Sequence, residues 1–144
     1  MNQKLQSKIP VIYEAIVKPR FNDFDPYGHV NSSCYLDYVI SSRWDYTQKH
    51  FKFGPQEFID QGIGFYLLRS EFDFKKSITA KHHEVFVSSF VSDKKMDLLY
   101  IDFSIQDINK TVTFSSGKLV FAVIDLTTKK KSPLPEKFEI YFWK

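Results

Sequence analysis

Residues 20–31, Arg20-Phe21-Asn22-Asp23-Phe24-Asp25-Pro26-Tyr27-Gly28-His29-Val30-Asn31, gather acid, imidazole, amide and glycine chemistry in one short stretch. An aspartate is ionised at neutral pH, so Asp25 can act as a base or a nucleophile. It can equally shape a turn, as Asp before Pro commonly does. His29, four residues on, can activate water or orient a carboxylate, or it can hold backbone in place. Gly28 lets backbone approach a ligand closely. Asn31, Ser32 and Ser33 are competent helix caps, so an amphipathic segment begins here and its first N–H groups face the loop. Those groups carry partial positive charge and could hold a developing oxyanion. A carboxylate, an imidazole and an oxyanion donor at one place suggest acyl transfer or hydrolysis. Asp23 is either a second carboxylate or a polar residue ending a strand.

Other chemistries find less support. His82 and His83 are adjacent and, on a strand, would point to opposite faces, so no metal is assigned to them. Cys34 is the single cysteine, which excludes an internal disulfide and a cysteine zinc cluster. It falls among apolar helix positions and reads as a small core residue. Gly-rich phosphate loops, a Gly-x-Ser-x-Gly elbow and a dinucleotide fingerprint are missing from the sequence, and no cofactor is expected. The formal net charge is +3, with Lys and Arg interspersed among acids, which gives no footprint for nucleic acid. The one run, Lys129-Lys130-Lys131, is either a solvated loop or a contact to a phosphate-bearing ligand.

The elements that would position the loop follow from periodicity. Val11–Phe21 reads as a strand interrupted near Pro19. Tyr35, Tyr38, Val39, Ser42 and Tyr46 share one helical face, which predicts a helix from about Ser32 to His50, stopped by Gly54-Pro55. A short helical turn is expected over Gln56–Gln61. From Gly64 the period becomes two. Strands are expected to about Lys75, over His83–Val91, over Leu98–Ile108 with Leu99, Ile101, Phe103 and Ile105 on one face, and over Val112–Leu126 with Gly117 as a bulge. Ser92–Lys95 and Asn109-Lys110 read as hairpin turns. The segment 132–138 is extended at its prolines and then ambiguous. The 144 residues suit one domain spanning 1–144, and 15 Phe, 8 Tyr and 2 Trp suit strands and buried interfaces. Strand, long helix and four long strands give an α+β domain whose antiparallel sheet wraps one helix. No apolar run approaches the ~20 residues of a membrane span. The polar stretch Met1–Ile9 shows no signal peptide, and a cytoplasmic location is expected.

Arg20-x-x-Asp23-x-Asp25-x-x-Gly28-His29-Val30-Asn31, followed by Tyr35, Tyr38 and Arg43, resembles the signature of the hotdog-fold acyl-CoA thioesterases of the 4-hydroxybenzoyl-CoA thioesterase type. Glu71–Lys76 and Pro133-Leu134-Pro135-Glu136 support the resemblance over most of the chain. It implies a long helix wrapped by a curved sheet, a homodimer or homotetramer, and sites at the subunit interface. It implies that Asp25 attacks the thioester or activates water while backbone N–H groups of Gly28–Asn31 polarise the carbonyl. Tyr27, Gly28, Val30 and Asn31 are then the substrate-binding candidates. The acyl-carrier-protein thioesterases of plants are similar here and imply a catalytic His29, although they have Asn where this chain has Tyr27. Ser32 stands for the second Asn of the family pattern, Ile40 for a Glu, and His82-His83 for a Gly-Asp. The expectation is an acyl-CoA thioesterase yielding free acid and CoA. The rivals are an acyl-carrier-protein thioesterase and a non-catalytic acyl-CoA-binding protein.

Overall fold

The computed structural model describes residues 8–144. Most of the polar N-terminal stretch, read above as free of a signal segment, lies outside the described residues. The chain runs β1 (Tyr13–Val17), a 3-10 turn (Phe21–Asp23), α1 (Cys34–Phe51), α2 (Pro55–Asp60), β2 (Ile63–Phe74), β3 (Val85–Lys95), β4 (Leu98–Asp107), β5 (Thr113–Asp125), β6 (Lys130–Lys131) and a 3-10 turn (Glu136–Tyr141). The strands form one antiparallel sheet in the order β1-β3-β4-β5-β2, with β6 added to the end of β5. It curls around α1, and this is the hotdog fold.

The helix face is the one its periodicity predicts. Tyr35, Tyr38, Val39 and Ser42 are buried, joined by Thr47, while Tyr46 is half-buried. Two hydroxyls enter the core because the helix itself satisfies them: Ser42 Oγ donates to the Val39 carbonyl at 2.7 Å and Thr47 Oγ1 to the Arg43 carbonyl at 2.8 Å. Lys52, in the left-handed region at φ 62°, ends the helix. Opposite α1, β4 buries Leu99, Ile101, Phe103 and Ile105, the alternation expected of it. On β3 the inward set is Val85, Val87, Ser89 and Val91. Aromatic rings bind the helix end to its neighbours, with Tyr46 on Tyr13 of β1 at 4.6 Å and Phe51 on Tyr141 of the C-terminal turn at 5.0 Å. Each such pair adds about 1 kcal/mol beyond the area it buries.

Several expectations are corrected. The first strand is shorter than Val11–Phe21, because Pro19 and the 3-10 turn end it. Ser92–Lys95 is not a turn: β3 continues to Lys95, and Met96, at φ 53°, makes the reversal before β4. The register slips beside Ser92, which bulges there. Gly117 is not a bulge; β5 runs through it in register with Phe72 on one side and Phe103 on the other. His82-His83 precedes β3 in a loop and is not part of the strand. β2 lies at one edge of the sheet and exposes Tyr66, Leu68 and Phe74 by about half their surface (47%, 52% and 55%).

Candidate active site

The segment between β1 and α1 folds into a tight reversal for local reasons. Asp25-Pro26-Tyr27-Gly28 is a type I turn sequence, with Asp first, Pro second and Gly last. The Gly28 N–H donates to the Asp25 carbonyl at 3.0 Å, and Gly28 sits at φ +80°, where a side chain is strained. Phe24 and Val30 pair across it. The Asp25 N–H donates to the His29 carbonyl at 2.7 Å, closing the reversal.

This turn aims the Asp25 carboxylate. Oδ1 accepts from the Tyr27 N–H at 2.9 Å and from the His29 N–H at 3.0 Å. Oδ2 accepts from no group among the described residues. One carboxylate oxygen is thus anchored by the turn and the other is open. Asp25 is half-exposed, and Tyr27, Gly28, His29 and Asn31 around it are exposed. Val30 is buried at 4% and tethers the loop to the core, its N–H donating to the Ile78 carbonyl at 2.8 Å.

His29 reaches Asp25 through its backbone and not through its ring, and its backbone also pairs with Thr79. The four N–H groups of Gly28–Asn31, expected to face a carbonyl, are engaged within the chain. Gly28 donates to the Asp25 carbonyl, His29 to Asp25 Oδ1, Val30 to Ile78 and Asn31 to the Asp23 carbonyl at 2.7 Å. At the start of α1, Asn31 Oδ1 takes the Ser33 N–H at 3.2 Å, and the Cys34 N–H bonds the Asn31 carbonyl at 2.9 Å. The Ser32 N–H and the Asn31 side-chain amide N–H groups stay free of partners among the described residues.

Asp23 is the supporting carboxylate that the sequence left ambiguous. It is buried, at 3% exposure. Tyr38 OH donates to its Oδ2 at 2.6 Å, the Arg20 N–H donates to Oδ2 at 2.9 Å, and the Arg20 guanidinium stands 3.3 Å from Oδ1. Burial alone would raise its pKa. The bonds from Tyr38 and Arg20 outweigh burial and hold the carboxyl below the ordinary range. The same contact, after burial, pushes the Tyr38 phenol up. Since Asp23 also accepts the Asn31 N–H at its carbonyl, it ties the start of α1 to the loop. Its folded pKa lies below its unfolded one, so its contribution to stability is full above about pH 4 and is lost as pH falls through the folded value. Asp23→Ala should cost about 2–3 kcal/mol at neutral pH by leaving Tyr38 and the Arg20 N–H unpaired. Its cost should shrink in acid. Thermal melts of both proteins from neutral pH down to about 3 check this; a pH-independent gap would contradict it.

The 75–84 loop was not legible as part of the site. Ile78, fully buried, and Thr79 lie against Val30 and His29. His82 Nδ1 accepts the Thr79 N–H at 2.9 Å and so holds this loop's turn. Cys34 is half-buried beside the Asp23 carbonyl, and burial raises its thiol, which leaves it a poor nucleophile.

A comparison with known families decides what this site belongs to. The sequence pattern described as the thioesterase-like superfamily matches residues 19–140. The chain belongs to that superfamily. Membership makes it a thioester hydrolase by class. No curated protein sequence matches it. Among solved structures it is similar to a thioesterase from Thermus thermophilus complexed with coenzyme A and zinc, at 25% identity and TM-score 0.73, covering 89% of each chain. It is also similar to a 1,4-dihydroxy-2-naphthoyl-CoA thioesterase from Synechocystis, at 16% identity and TM-score 0.79, covering 91% of this chain and 95% of that one. A DHNA-CoA thioesterase from Staphylococcus aureus superposes at TM-score 0.77 with 20% identity, covering 90% of this chain and 85% of that one. At these lower identities the likeness is one of fold. No described helix is long and apolar enough to cross a membrane.

Proposed function

We propose that this thioesterase hydrolyses acyl-CoA, with Asp25 as general base or nucleophile. The observation that carries the reading is the division of labour at its carboxylate. Oδ1 is fixed by two backbone N–H groups, and Oδ2 has no partner among the described residues. As a base, Oδ2 takes a proton from water while the water oxygen attacks the thioester carbonyl; the thiolate leaves and takes the proton back. As a nucleophile, Oδ2 attacks the carbonyl and expels the thiolate to form a mixed anhydride; water then cleaves it, freeing the acid and Asp25, and a proton from that water passes to the thiolate. In either case negative charge develops on the carbonyl oxygen. The Ser32 N–H and the Asn31 side-chain amide are the donors left to meet it. His29 is exposed and bonds Asp25 through its backbone, so its ring is assigned to contact with substrate and not to a proton relay through Asp25.

Coenzyme A is the carrier favoured by the ligand of the Thermus thermophilus relative. Lys75, Lys76 and Lys81 are exposed in the loop that packs on His29 and Val30, which suits phosphates near the site. The open, apolar edge of β2 favours a homodimer in which two β2 strands meet, since a long exposed edge of this kind otherwise invites aggregation.

The test is free-thiol release from matched acyl-CoA and acyl-carrier-protein thioesters, with light scattering on the same preparation. Turnover of acyl-CoA at a kcat/KM at least about tenfold above the carrier-protein ester, from a particle of twice the chain's mass, is expected. Preference for the carrier protein would overturn the CoA assignment. A monomer with full activity would overturn the dimer.

A further inference from the structure

Between α1 and the concave face of the sheet lies a cavity of about 290 Å³. Its walls are apolar and largely aromatic, with Trp44, Phe58, Phe65, Ile101 and Phe121 prominent. That is roughly twice the ~150 Å³ that accommodates a benzene ring. Leu67, on the exposed β2 edge, stands at its rim.

Besides the indole N–H of Trp44, three polar side chains line this space: Tyr13, Thr47 and Arg43. Two are already spent. Tyr13 OH donates to the Tyr141 carbonyl at 2.7 Å, and Thr47 Oγ1 to the Arg43 carbonyl. Arg43 is different. Its guanidinium lies over the Tyr13 ring at 3.9 Å, and one of its N–H groups reaches Ser89 Oγ at 2.9 Å. A guanidinium has five N–H donors in a fixed fork that matches a carboxylate. Among the described residues it has no carboxylate partner. Burial lowers its pKa to about 10, and it stays cationic at neutral pH. The residue is half-buried, with one face of the guanidinium on the Tyr13 ring, and a cation so placed with no opposite charge beside it gains from a carboxylate that pairs with it.

We infer that this cavity binds an organic carboxylate, with its apolar body against the aromatic walls and its carboxylate on the Arg43 fork. Such a ligand has two sources: the far-end carboxylate of a dicarboxylic acyl group, or a free monocarboxylic acid. The first source rests on the thioesterase reading above and fits the layout. Arg43 is nine residues beyond Cys34, about 13 Å along α1 at 1.5 Å per residue. An acyl group held at both the Asp25 loop and Arg43 would have to span about that distance along the helix.

Trp44 lines the cavity and reports its occupancy. The full-length protein is titrated with octanoate and with octanol, followed by tryptophan fluorescence, and the octanoate titration is repeated on Arg43→Gln. In parallel, hydrolysis of octanoyl-CoA is compared with that of suberyl-CoA, its counterpart with a terminal carboxylate. Octanoate should bind the wild type at least tenfold more tightly than octanol, the scale of one charge-assisted hydrogen bond, and Arg43→Gln should erase the difference. A tenfold preference in kcat/KM for suberyl-CoA assigns the site to the acyl group. Equal hydrolysis with octanoate still bound assigns it to a free acid. Equal binding of octanoate and octanol by the wild type overturns the inference, and this comparison needs neither a stable variant nor catalysis. If octanoate binds but neither thioester is cleaved, the cavity assignment stands and the acyl-CoA reading fails.

Discussion

Gly117→Ala should lower stability by about 3 kcal/mol, at the top of the range for overpacking, with a fall in Tm on the order of 10 °C. The cause is steric and not conformational. A Cβ built at Gly117 would stand 1.8 Å from the Glu71 carbonyl oxygen and 2.9 Å from Phe103 Cζ. The first neighbour is backbone of the paired β2 strand and cannot turn aside. Phe72 and Phe103, with ring centroids 4.7 Å apart, close over the space that a side chain would fill. Gly54→Ala is the control. Nothing lies within 4 Å of a Cβ there, and losing a glycine N-cap should cost at most about 1 kcal/mol. Chemical denaturation of both variants checks the contrast; equal stabilities would show that β2 can shift away from β5.

The same glycine shows where sequence reading stopped. An isolated glycine in a strand signals either a bulge or a close approach, and only the partner strands decide which. The bulges sit elsewhere, at Leu68, Ser92 and Phe114, none of them a glycine. Ser92-Asp93-Lys94-Lys95 reads as a turn by composition. It is strand because β4 supplies partners for Asp93, Lys94 and Lys95, and because Lys94 finds Glu139 in the C-terminal turn. Such partners are far away in sequence. The helix face and the β4 alternation were legible because periods of 3.6 and 2 are local properties.

At the site, the turn around Asp25 was legible from Asp-Pro-Tyr-Gly, since its chemistry is contained in four residues. The donors were not. Reading Gly28–Asn31 as free N–H groups overlooked their partners: Ile78 lies in a loop with no sequence signal, and the Asp23 carbonyl gave no sign of its aim. Asp23 itself could be weighed only once Tyr38, fifteen residues on, was known to face it. Arg43 matched a family pattern, but that no described residue sets a carboxylate against it is a property of the packed core alone.

Asp25→Asn is the most direct measurement of the central claim. Asparagine keeps an oxygen that can accept the Tyr27 and His29 N–H groups, so the turn persists and Tm should move little. What it lacks is the anionic oxygen that accepts a proton or attacks a carbonyl. With the best acyl-CoA of a panel of chain lengths, kcat/KM should fall by about a hundredfold or more, while the melting curve stays within the scatter of a surface substitution. An Asp25→Asn protein that folds normally and cleaves the thioester at the wild-type rate would contradict the account and return Asp25 to the role of a turn residue.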